Sequence, residues 1–426
     1  MAQLSLPYGK GSLPVSIADE LLGPVVEPRP LPGASDVDLL IREAVQHPIG
    51  TPPITELVTP GQRVAIVVDD YTRKTPVARI LPLILGLLEE QGVEDEHIQI
   101  VAALGTHRPM TEAELRVKLG AGIVSRYEVI NTPCKEQGEM LFLGTSSNGI
   151  PAWVNRHVAD ADLRIGIGMI TPHSDAGFSG GAKIILPGVC NKQTVDAFHA
   201  AGAFLGETQL GNIDSPLRLN LESFVEDRIP LSFIVNVILN IKGEIVQCVA
   251  GHPVQAHRQG VAYAQDSFGV PVERRYEVVV ANSYPYDVDF WQSTKGIFCG
   301  SLVVADRGTL IVLTAATEGN SNYPRFPGYI GQSFASLQEE IRDGQLEDGI
   351  LKAEAVKLGL LKDRVNLMLV SGGLDAGDGQ TMKVPKFATV EDAVQEALQK
   401  LPESRWQGSV CVLPQAGVTL PMLSSG

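Results

Sequence analysis

Short apolar runs alternate with amphipathic stretches along most of the chain. The run Val64–Asp70 is apolar up to its last two residues, and Ile98–Gly105 repeats this pattern further on. Strands separated by helices in this way are typical of a largely parallel sheet that is covered by helices. We therefore predict an α/β fold. The same pattern predicts further strands over Tyr127–Thr132, Leu163–Ile170, Ile234–Asn240, Tyr276–Asn282, Thr309–Ala316 and Asn366–Gly372.

Helix signals fall between these strands. Thr111 and Glu114 have the spacing of a capping box, in which each side chain bonds to the backbone of the other residue. The segment Glu318–Gly331 is rich in Gly, Pro and Asn and is predicted as a functional loop. Helices are predicted over Val77–Gln91, Thr111–Gly120, Pro253–Phe268 and Ser293–Ala305.

The length of 426 residues exceeds that of most single domains, so we expect more than one core. The α/β pattern restarts after Gly269–Arg275. We therefore predict an N-terminal α/β domain over residues 1–270 and a second α/β domain over residues 271–408. The last apolar run, Ser409–Val418, suits a strand in either domain. Residues 409–426 are assigned as a segment that returns to the N-terminal domain.

The formal net charge of −15 excludes a nucleic-acid-binding protein, because a polyanion requires a dense basic surface that this chain lacks. The same charge slows the approach of a small anionic substrate, so an acid-binding site needs its own local cations. The five cysteines show no C-x-x-C spacing and are predicted to be small buried hydrophobic residues. They are Cys134, Cys190, Cys248, Cys299 and Cys411.

The start of the chain has no basic stretch followed by an apolar one, and so no signal peptide is predicted. The most apolar stretch, Ile80–Leu88, is too short to span a bilayer. We expect a cytoplasmic protein with no membrane partner.

Three polar clusters follow predicted strands: Asp69–Thr75 (DDYTRKT), Gly105–Pro109 (GTHRP) and Thr171–Pro187 (TPHSDAGFSGGAKIILP). The loops that follow parallel strands converge at one edge of a sheet, where functional groups gather. Each cluster also has a purely structural interpretation. Paired aspartates after a strand form turns and helix caps, a single histidine in a loop is commonly structural, and glycines commonly serve turns.

Four side chains in these clusters favour a chemical role when they are taken together. His107 and His173 each follow a strand of the same predicted sheet and can exchange protons near neutral pH. Arg73 supplies a cation suited to a carboxylate. Lys183 lies among glycines and apolar residues, where loss of solvation lowers its pKa and makes it a nucleophile or an attachment point.

The string HSDAGFSGGAKIILPGV (His173–Val189), together with DDYTR, GTHRP and His199, resembles the lactate racemase family over nearly the whole chain. The resemblance implies two α/β domains with the active site in the cleft between them. It also implies a nickel-pincer nucleotide, a pyridinium mononucleotide that bears thio groups and is tethered through a thioamide to Lys183. Gly180 and Gly181 would line this cofactor, and His199 would bind the nickel. Cofactor-biosynthesis enzymes would then be partners.

The activity that the resemblance implies is racemisation or epimerisation of small 2-hydroxy acids. The hydrogen on the carbon beside a carboxylate is not acidic, so it would leave as a hydride and give a 2-keto acid, and its return to the other face inverts the centre. The implied roles are proton transfer by His107 and His173, carboxylate binding by Arg73 and Lys295, and orientation by Asp70 and Gln292. The pair Gln292 and Lys295 shares a face if its segment is helical.

One departure from the family pattern concerns the substrate pocket. Trp291 precedes the Gln-x-x-Lys pair where a tyrosine is expected in a lactate enzyme, and Gln292–Arg405 contains no tryptophan. We predict a reshaped pocket, with Trp291 in contact with the substrate. Malate, an aromatic 2-hydroxy acid and a sugar acid are therefore possible substrates besides lactate. Two further hypotheses are a non-catalytic protein that binds a carboxylate or a nucleotide, and a metal-dependent hydrolase that uses Asp69, Asp70 and histidines.

Overall fold

The computed structural model describes residues 1–131, 137–320 and 322–424, so Cys134 lies outside the described residues. No helix in these ranges is long and apolar enough to cross a membrane. The strands are β1 (Ala2–Tyr8), β2 (Gly11–Ile17), β3 (Leu22–Val25), β4 (Val64–Asp69), β5 (Ile98–Ala103), β6 (Glu128–Ile130), β7 (Met140–Thr145), β8 (Pro151–Asn155), β9 (Leu163–Met169), β10 (Pro172–His173), β11 (Gly177–Phe178), β12 (Phe233–Leu239), β13 (Ile245–Gly251), β14 (Gly269–Val272), β15 (Tyr276–Asn282), β16 (Val304–Thr314), β17 (Asn366–Ser371), β18 (Lys386–Phe387), β19 (Val410–Leu413) and β20 (Leu420–Leu423).

Helices cover much of the sequence between these strands. They are α1 (Val37–Gln46), α2 (Ile54–Leu57), α3 (Val77–Glu90), α4 (Glu112–Leu119), α5 (Ala121–Arg126), α6 (Arg156–Ala159), α7 (Lys192–Gly202), α8 (Pro216–Arg228), α9 (Gln255–Phe268), α10 (Phe290–Ser301), α11 (Phe326–Gly331), α12 (Phe334–Arg342), α13 (Gly349–Arg364), α14 (Ala376–Met382) and α15 (Val390–Gln399).

The chain packs into two compact units. Residues 30–201 and 211–267 form the larger unit, and residues 1–29, 202–210 and 268–426 form the smaller unit. Each unit has its own mostly parallel sheet, so the predicted α/β class is confirmed.

The sheet of the larger unit has the strand order β13-β12-β9-β4-β5-β6 within the described residues. Its neighbours are parallel except for β12 and β13, which form an antiparallel pair. β4 is the run Val64–Asp69, whose first five residues are buried because helices cover both faces of a parallel sheet. Helix α3 packs Ile80, Leu81 and Ile84 into the core cluster that contains Ile66 of this strand.

The sheet of the smaller unit has the order β18-β17-β16-β15-β19-β3, and each neighbouring pair described is parallel. β19 lies between β15 and β3, and all four of its residues are buried. The structure therefore differs from the prediction that residues 409–426 return to the N-terminal domain. A central strand needs hydrogen-bonding neighbours on both sides, and the smaller unit supplies both of them.

The first 29 residues also lie outside the domain predicted for them. Leu6, Val15 and Ile17 of the hairpin formed by β1 and β2 are buried in the same core as Val278 and Ile311 of the smaller sheet. Residues 202–210 belong to this unit as well. The chain therefore passes between the two units at several points, and the predicted boundary at residue 270 lies close to the last of them, between residues 267 and 268. The apolar face of the hairpin is buried against this core.

Most predicted helices and strands agree with the structure to within a few residues at each end. The capping box of Thr111 and Glu114 is present at the start of α4. Helix α10 begins at Phe290, three residues before its predicted start, because the Asp289 side chain accepts a hydrogen bond from the backbone N–H of Gln292. The predicted loop from residue 318 to residue 331 ends in helix α11.

Candidate active site

The polar clusters predicted from the sequence follow three neighbouring strands of the larger unit. β9, β4 and β5 are adjacent and parallel, so their carboxyl ends lie along one edge of the sheet. Asp70–Arg73 follows β4, His107 follows β5, and His173 is the last residue of the short strand β10 after β9. The fold therefore brings these loops to the edge where α/β proteins commonly bind ligands.

His107 is paired with a buried carboxylate. Its Nδ1 atom lies 2.5 Å from Oδ2 of Asp70, a residue that is 2% exposed. The other carboxylate oxygen of Asp70, Oδ1, accepts hydrogen bonds from the backbone N–H and the hydroxyl of Thr72. Burial raises the pKa of Asp70, but the hydrogen bonds from His107 and Thr72 outweigh it, and the pKa is lowered overall. Because the ionised carboxylate accepts from Nδ1, the basic nitrogen of the neutral His107 ring is Nε2.

Asp69 has different partners from its neighbour. Lys118 Nζ lies 2.7 Å from its Oδ1 atom, and the Thr75 hydroxyl donates a hydrogen bond to Oδ2. Burial raises the pKa of Asp69 in spite of the Lys118 charge. Asp69 and Asp70 thus have different partners, since Asp69 pairs with Lys118 and Asp70 pairs with His107.

The glycine-rich segment after β9 folds into a small hairpin of β10 and β11. His173 Nδ1 accepts hydrogen bonds from the backbone N–H groups of Asp175 (3.1 Å) and Ala176 (3.4 Å). A neutral ring that accepts at Nδ1 carries its proton on Nε2. His107 and His173 are therefore held as opposite tautomers.

Gly180 and Gly181 lead directly into the 3-10 turn Gly181–Ile184, which carries Lys183. Their φ angles are +78° and +60°, a left-handed backbone conformation that favours glycine. The predicted attachment lysine therefore lies two residues after Gly181.

The surroundings of Lys183 lower the pKa of its amine. Loss of solvation, followed by the positive charges of Arg73 and Arg218, lowers its pKa to about 7, although Asp175 acts in the opposite direction. Its Nζ atom lies 5.7 Å from the centre of the Phe198 ring. A lysine in this state has a substantial neutral fraction at physiological pH and is suited to covalent attachment.

His199 lies on α7 and is oriented by a carboxylate. Its Nδ1 atom is 2.8 Å from Oδ2 of Asp175, which is 2% exposed. Asp196, which lies one turn earlier on the same helix, forms an ion pair with Lys192 instead. The rings of His173 and His199 are roughly parallel, with 6.4 Å between their centres. With Nδ1 bonded to a carboxylate, Nε2 is the ring nitrogen that can bind a metal, and metal-binding histidines usually have this arrangement.

Arg73 is the local cation that an acidic chain requires near an anionic substrate. Its guanidinium donates to the Thr72 hydroxyl at 2.9 Å, and it forms no salt bridge with a carboxylate in the described ranges. Its charge nevertheless contributes to the lowered pKa values of Asp70 and Lys183. Arg73 therefore retains donors for a carboxylate ligand.

The predicted Gln-x-x-Lys pair lies in the smaller unit, on helix α10. Lys295 Nζ donates a hydrogen bond to Oε1 of Gln292 at 2.6 Å and lies 3.8 Å from the centre of the Tyr286 ring. The prediction that the two side chains share a helical face is confirmed. Aromatic side chains hold Trp291 next to them, since its ring lies 4.9 Å from that of Tyr323 and 5.0 Å from that of Phe326.

The sequence analysis did not identify four polar residues that support this site. Asp175 lies two residues after His173, and its position within the long motif was the one available signal. Arg218, Asn236 and His257 lie far along the chain from the glycine loop and had no signal.

This chain is similar in sequence to known proteins. Residues 8–211 match the family model described as the lactate racemase N-terminal domain. A lactate racemase of Thermoanaerobacterium thermosaccharolyticum is 28% identical over 81% of this chain and 80% of its own length. A lactate racemase of Lactiplantibacillus plantarum is 29% identical over 75% of this chain and 76% of its own length.

Solved structures share the fold. The lactate racemase apoprotein of T. thermosaccharolyticum superposes with a TM-score of 0.87 at 24% identity, over 99% of this chain and 100% of that one. A Thermotoga maritima protein superposes with a TM-score of 0.64 at 20% identity, over 94% of this chain and 100% of that one. Residues 8–211 thus form a lactate racemase N-terminal domain, and the chain is similar to lactate racemases over most of its length.

Proposed function

We propose that the protein interconverts the stereoisomers of a small, lactate-like 2-hydroxy acid and that it uses a nickel-pincer nucleotide tethered to Lys183. The observation that carries this proposal is the shared surroundings of Lys183 and His199. Asp175 accepts from His199 and acts electrostatically on Lys183, and the Phe198 ring lies next to both side chains. The proposed attachment group and the proposed metal ligand thus share neighbours within the larger unit.

The residues present fit such a cofactor. A lysine with a pKa of about 7 supplies the amine for a covalent tether. His199, with Nδ1 engaged by Asp175, offers Nε2 to a borderline metal such as nickel. The chemistry that the bound nucleotide would supply is the reversible acceptance of a hydride from the carbon that bears the hydroxyl group. The nucleotide itself must come from separate biosynthetic enzymes.

His107 would accept the hydroxyl proton as the hydride leaves. The Asp70 carboxylate stabilises the imidazolium that forms and keeps Nε2 free for the substrate. His173 would serve the mirror-image substrate: with its ring proton moved from Nε2 to Nδ1, its Nε2 would accept the hydroxyl proton and return it when the hydride comes back. Two histidines are required because the two enantiomers present the hydroxyl group in different directions.

Cationic side chains would hold the substrate carboxylate. Arg73 has a guanidinium free of salt bridges in the part of the chain that is described, and Lys295 is oriented by Gln292. Fixing the carboxylate orients the neighbouring carbon, which is the main contribution that binding groups make to such a reaction.

Mass spectrometry tests this proposal directly. Protein purified from cells that make the cofactor should carry an adduct on the peptide that contains Lys183 and about one nickel per chain, which is the stoichiometry of one tethered group. Lys183→Arg should lose both the adduct and the racemisation, because a guanidinium is too weakly nucleophilic. Lys192→Arg, which changes a lysine paired with Asp196, is the control and should keep both. An unmodified Lys183 peptide in the wild-type protein would contradict the proposal.

The aromatic side chains beside Lys295 favour a larger substrate as the second candidate. The Tyr286 ring lies against Lys295, and Trp291, which precedes Gln292 in the chain, packs against Tyr323. Such surface suits an aromatic 2-hydroxy acid better than the methyl group of lactate. A hydrophobic pocket discriminates between substrates by only ~1–3 kcal/mol for each methylene by which they differ, so several 2-hydroxy acids must be compared. Measuring enantiomer ratios after incubation with lactate, malate, phenyllactate and sugar acids separates these substrates. A holoprotein that inverts none of them would instead be a binding protein.

A further inference from the structure

Three buried polar side chains surround the loop that precedes Lys183. Arg218 comes from α8, Asn236 from β12 and His257 from α9, and their exposures are 0%, 2% and 0%. Burying such groups is unfavourable unless they are hydrogen-bonded. Each of them hydrogen-bonds the backbone of residues 176–181, and we call these three residues the loop cradle.

Arg218 bonds to three alternate carbonyl groups of the loop. Its Nε donates to the carbonyl of Ala176 at 3.1 Å, one terminal nitrogen donates to that of Gly180 at 3.3 Å, and the other donates to that of Phe178. A guanidinium has a planar set of donors that can span several acceptors, whereas an ammonium group is a compact point charge. Glu222, 3.6 Å away, offsets the buried charge.

The other two members of the cradle hold the remaining part of the loop. His257 Nε2 donates to the carbonyl of Ser179 at 2.8 Å, and Asn236 Oδ1 accepts from the N–H of Gly181 at 2.9 Å. The backbone lies directly on these side chains. A Cβ at Gly180 would be 2.7 Å from Asn236 Oδ1, and one at Gly181 would be 2.9 Å from His257 Cγ.

We propose that Arg218, Asn236 and His257 are positioning residues that hold the loop of residues 176–181 in its final conformation before any cofactor is attached. The proposal rests on the proposed role of Lys183 as the tether. Side chains from three separate elements satisfy the carbonyl groups of residues 176, 178, 179 and 180 and the N–H group of residue 181. These five backbone groups are therefore hydrogen-bonded without a ligand, and Lys183 follows them directly in the chain.

Two substitutions at His257 separate hydrogen bonding from packing. His257→Phe keeps a ring against Gly181 but removes the donor, and His257→Gln keeps an N–H donor in a smaller side chain. In cofactor-free protein, hydrogen–deuterium exchange of the peptide that covers residues 176–183 should become about tenfold faster in His257→Phe, as expected when one buried hydrogen bond is lost. Exchange in His257→Gln should stay near the wild-type rate.

A parallel comparison covers the arginine. Arg218→Met should accelerate exchange of the same peptide by about tenfold or more, because three hydrogen bonds are lost together. Arg258→Met is the control, since Arg258 pairs with Glu222 at 2.8 Å in the same network but has no hydrogen bond to the loop in the described structure. If Arg218→Met does not fold, the His257 pair still decides the question.

Unchanged loop exchange in folded His257→Phe protein, or equal acceleration in both His257 variants, would overturn the proposal. Expression in cells that make the cofactor gives the second readout, the fraction of Lys183 peptide with the adduct. We expect this fraction to fall at least about fivefold in His257→Phe and to recover in His257→Gln, in line with the loss and return of one positioning hydrogen bond. A wild-type protein without any adduct would reject the tether, while the exchange experiment would still decide whether the cradle holds the loop.

Discussion

At the scale of single residues, the candidate site depends on carboxylates that fix the orientation of histidines. Asp70 holds Nδ1 of His107, and Asp175 holds Nδ1 of His199. His173 is oriented by backbone N–H groups instead, which gives it the opposite tautomer. The three histidines thus show two arrangements at Nδ1, a carboxylate for His107 and His199 and backbone N–H groups for His173, and the difference comes from their partners.

The role of Asp175 can be tested against that of Asp196. Asp175→Asn should weaken nickel binding by about 10–100-fold, the usual effect of removing the carboxylate that orients a metal-binding histidine. Asp196→Asn changes a carboxylate on the same helix as His199 that pairs with Lys192 and should leave nickel binding unchanged. The measurement is nickel per chain after dialysis against a chelator. Equal nickel contents in the two variants would reject the role of Asp175.

Asp70 predicts a specific dependence of stability on pH. Its pKa is lower in the folded protein than the ordinary value of about 3.9, so its ionised form stabilises the fold. This contribution is complete above the unfolded-state pKa and is lost as the pH falls through the folded-state pKa. The Tm of Asp70→Asn should therefore lie about 2–4 °C below that of the wild type at pH 5, which corresponds to roughly 1 kcal/mol in a domain of this size.

The difference in Tm between the two proteins should then shrink as the pH is lowered from about 5 to about 3, because the wild-type carboxylate becomes protonated. Asp162→Asn serves as the control, since its ion pair with Arg63 is on the surface and contributes little to stability. A gap between wild type and Asp70→Asn that widened towards low pH would contradict the stabilising role of the ionised carboxylate.

At the scale of elements, local sequence patterns predicted helices and strands well, and packing decided their partners. The capping box at Thr111 and the strand Tyr276–Asn282 agree with the structure because neighbours within a few residues determine both of them. The hairpin of β1 and β2 was not predicted, and the segment Ser409–Val418 was assigned to a different sheet. Strand pairing depends on residues hundreds of positions away, which local periodicity does not contain.

The hairpin offers a direct test of its burial in the smaller unit. Val15 of β2 is 1% exposed and lies in the core cluster with Val278 and Ile311, so Val15→Asp should destabilise the fold by about 3 kcal/mol or more. Val117→Asp, at a side chain that is 83% exposed, should change stability by less than ~0.5 kcal/mol. Thermal unfolding measures both effects. A Tm for Val15→Asp as high as that of Val117→Asp would show that the hairpin contributes no core.

At the scale of the whole molecule, the chain crosses between its two units several times. The smaller unit contains both ends of the described chain, with β3 and β19 as neighbours in one sheet. The predicted boundary near residue 270 matches one of the crossings, and the prediction of one continuous N-terminal domain does not match the others. Composition and periodicity reveal where a pattern restarts, but the return of a terminal strand depends on which sheet has an open edge.

The sequence alone was sufficient to predict the fold class and the resemblance to lactate racemases, and it supplied the candidate residues for the chemistry. His107, His173, Lys183 and His199 belong to contiguous motifs, and the alternation of strands and helices is written in neighbouring residues. Tertiary structure alone decided which groups orient them. The partner of His199 is Asp175, 24 residues away, and Arg218 reaches the carbonyl of Phe178 across 40 residues. Such contacts follow from how elements pack, and no local pattern encodes which distant polar group will be buried beside a given loop.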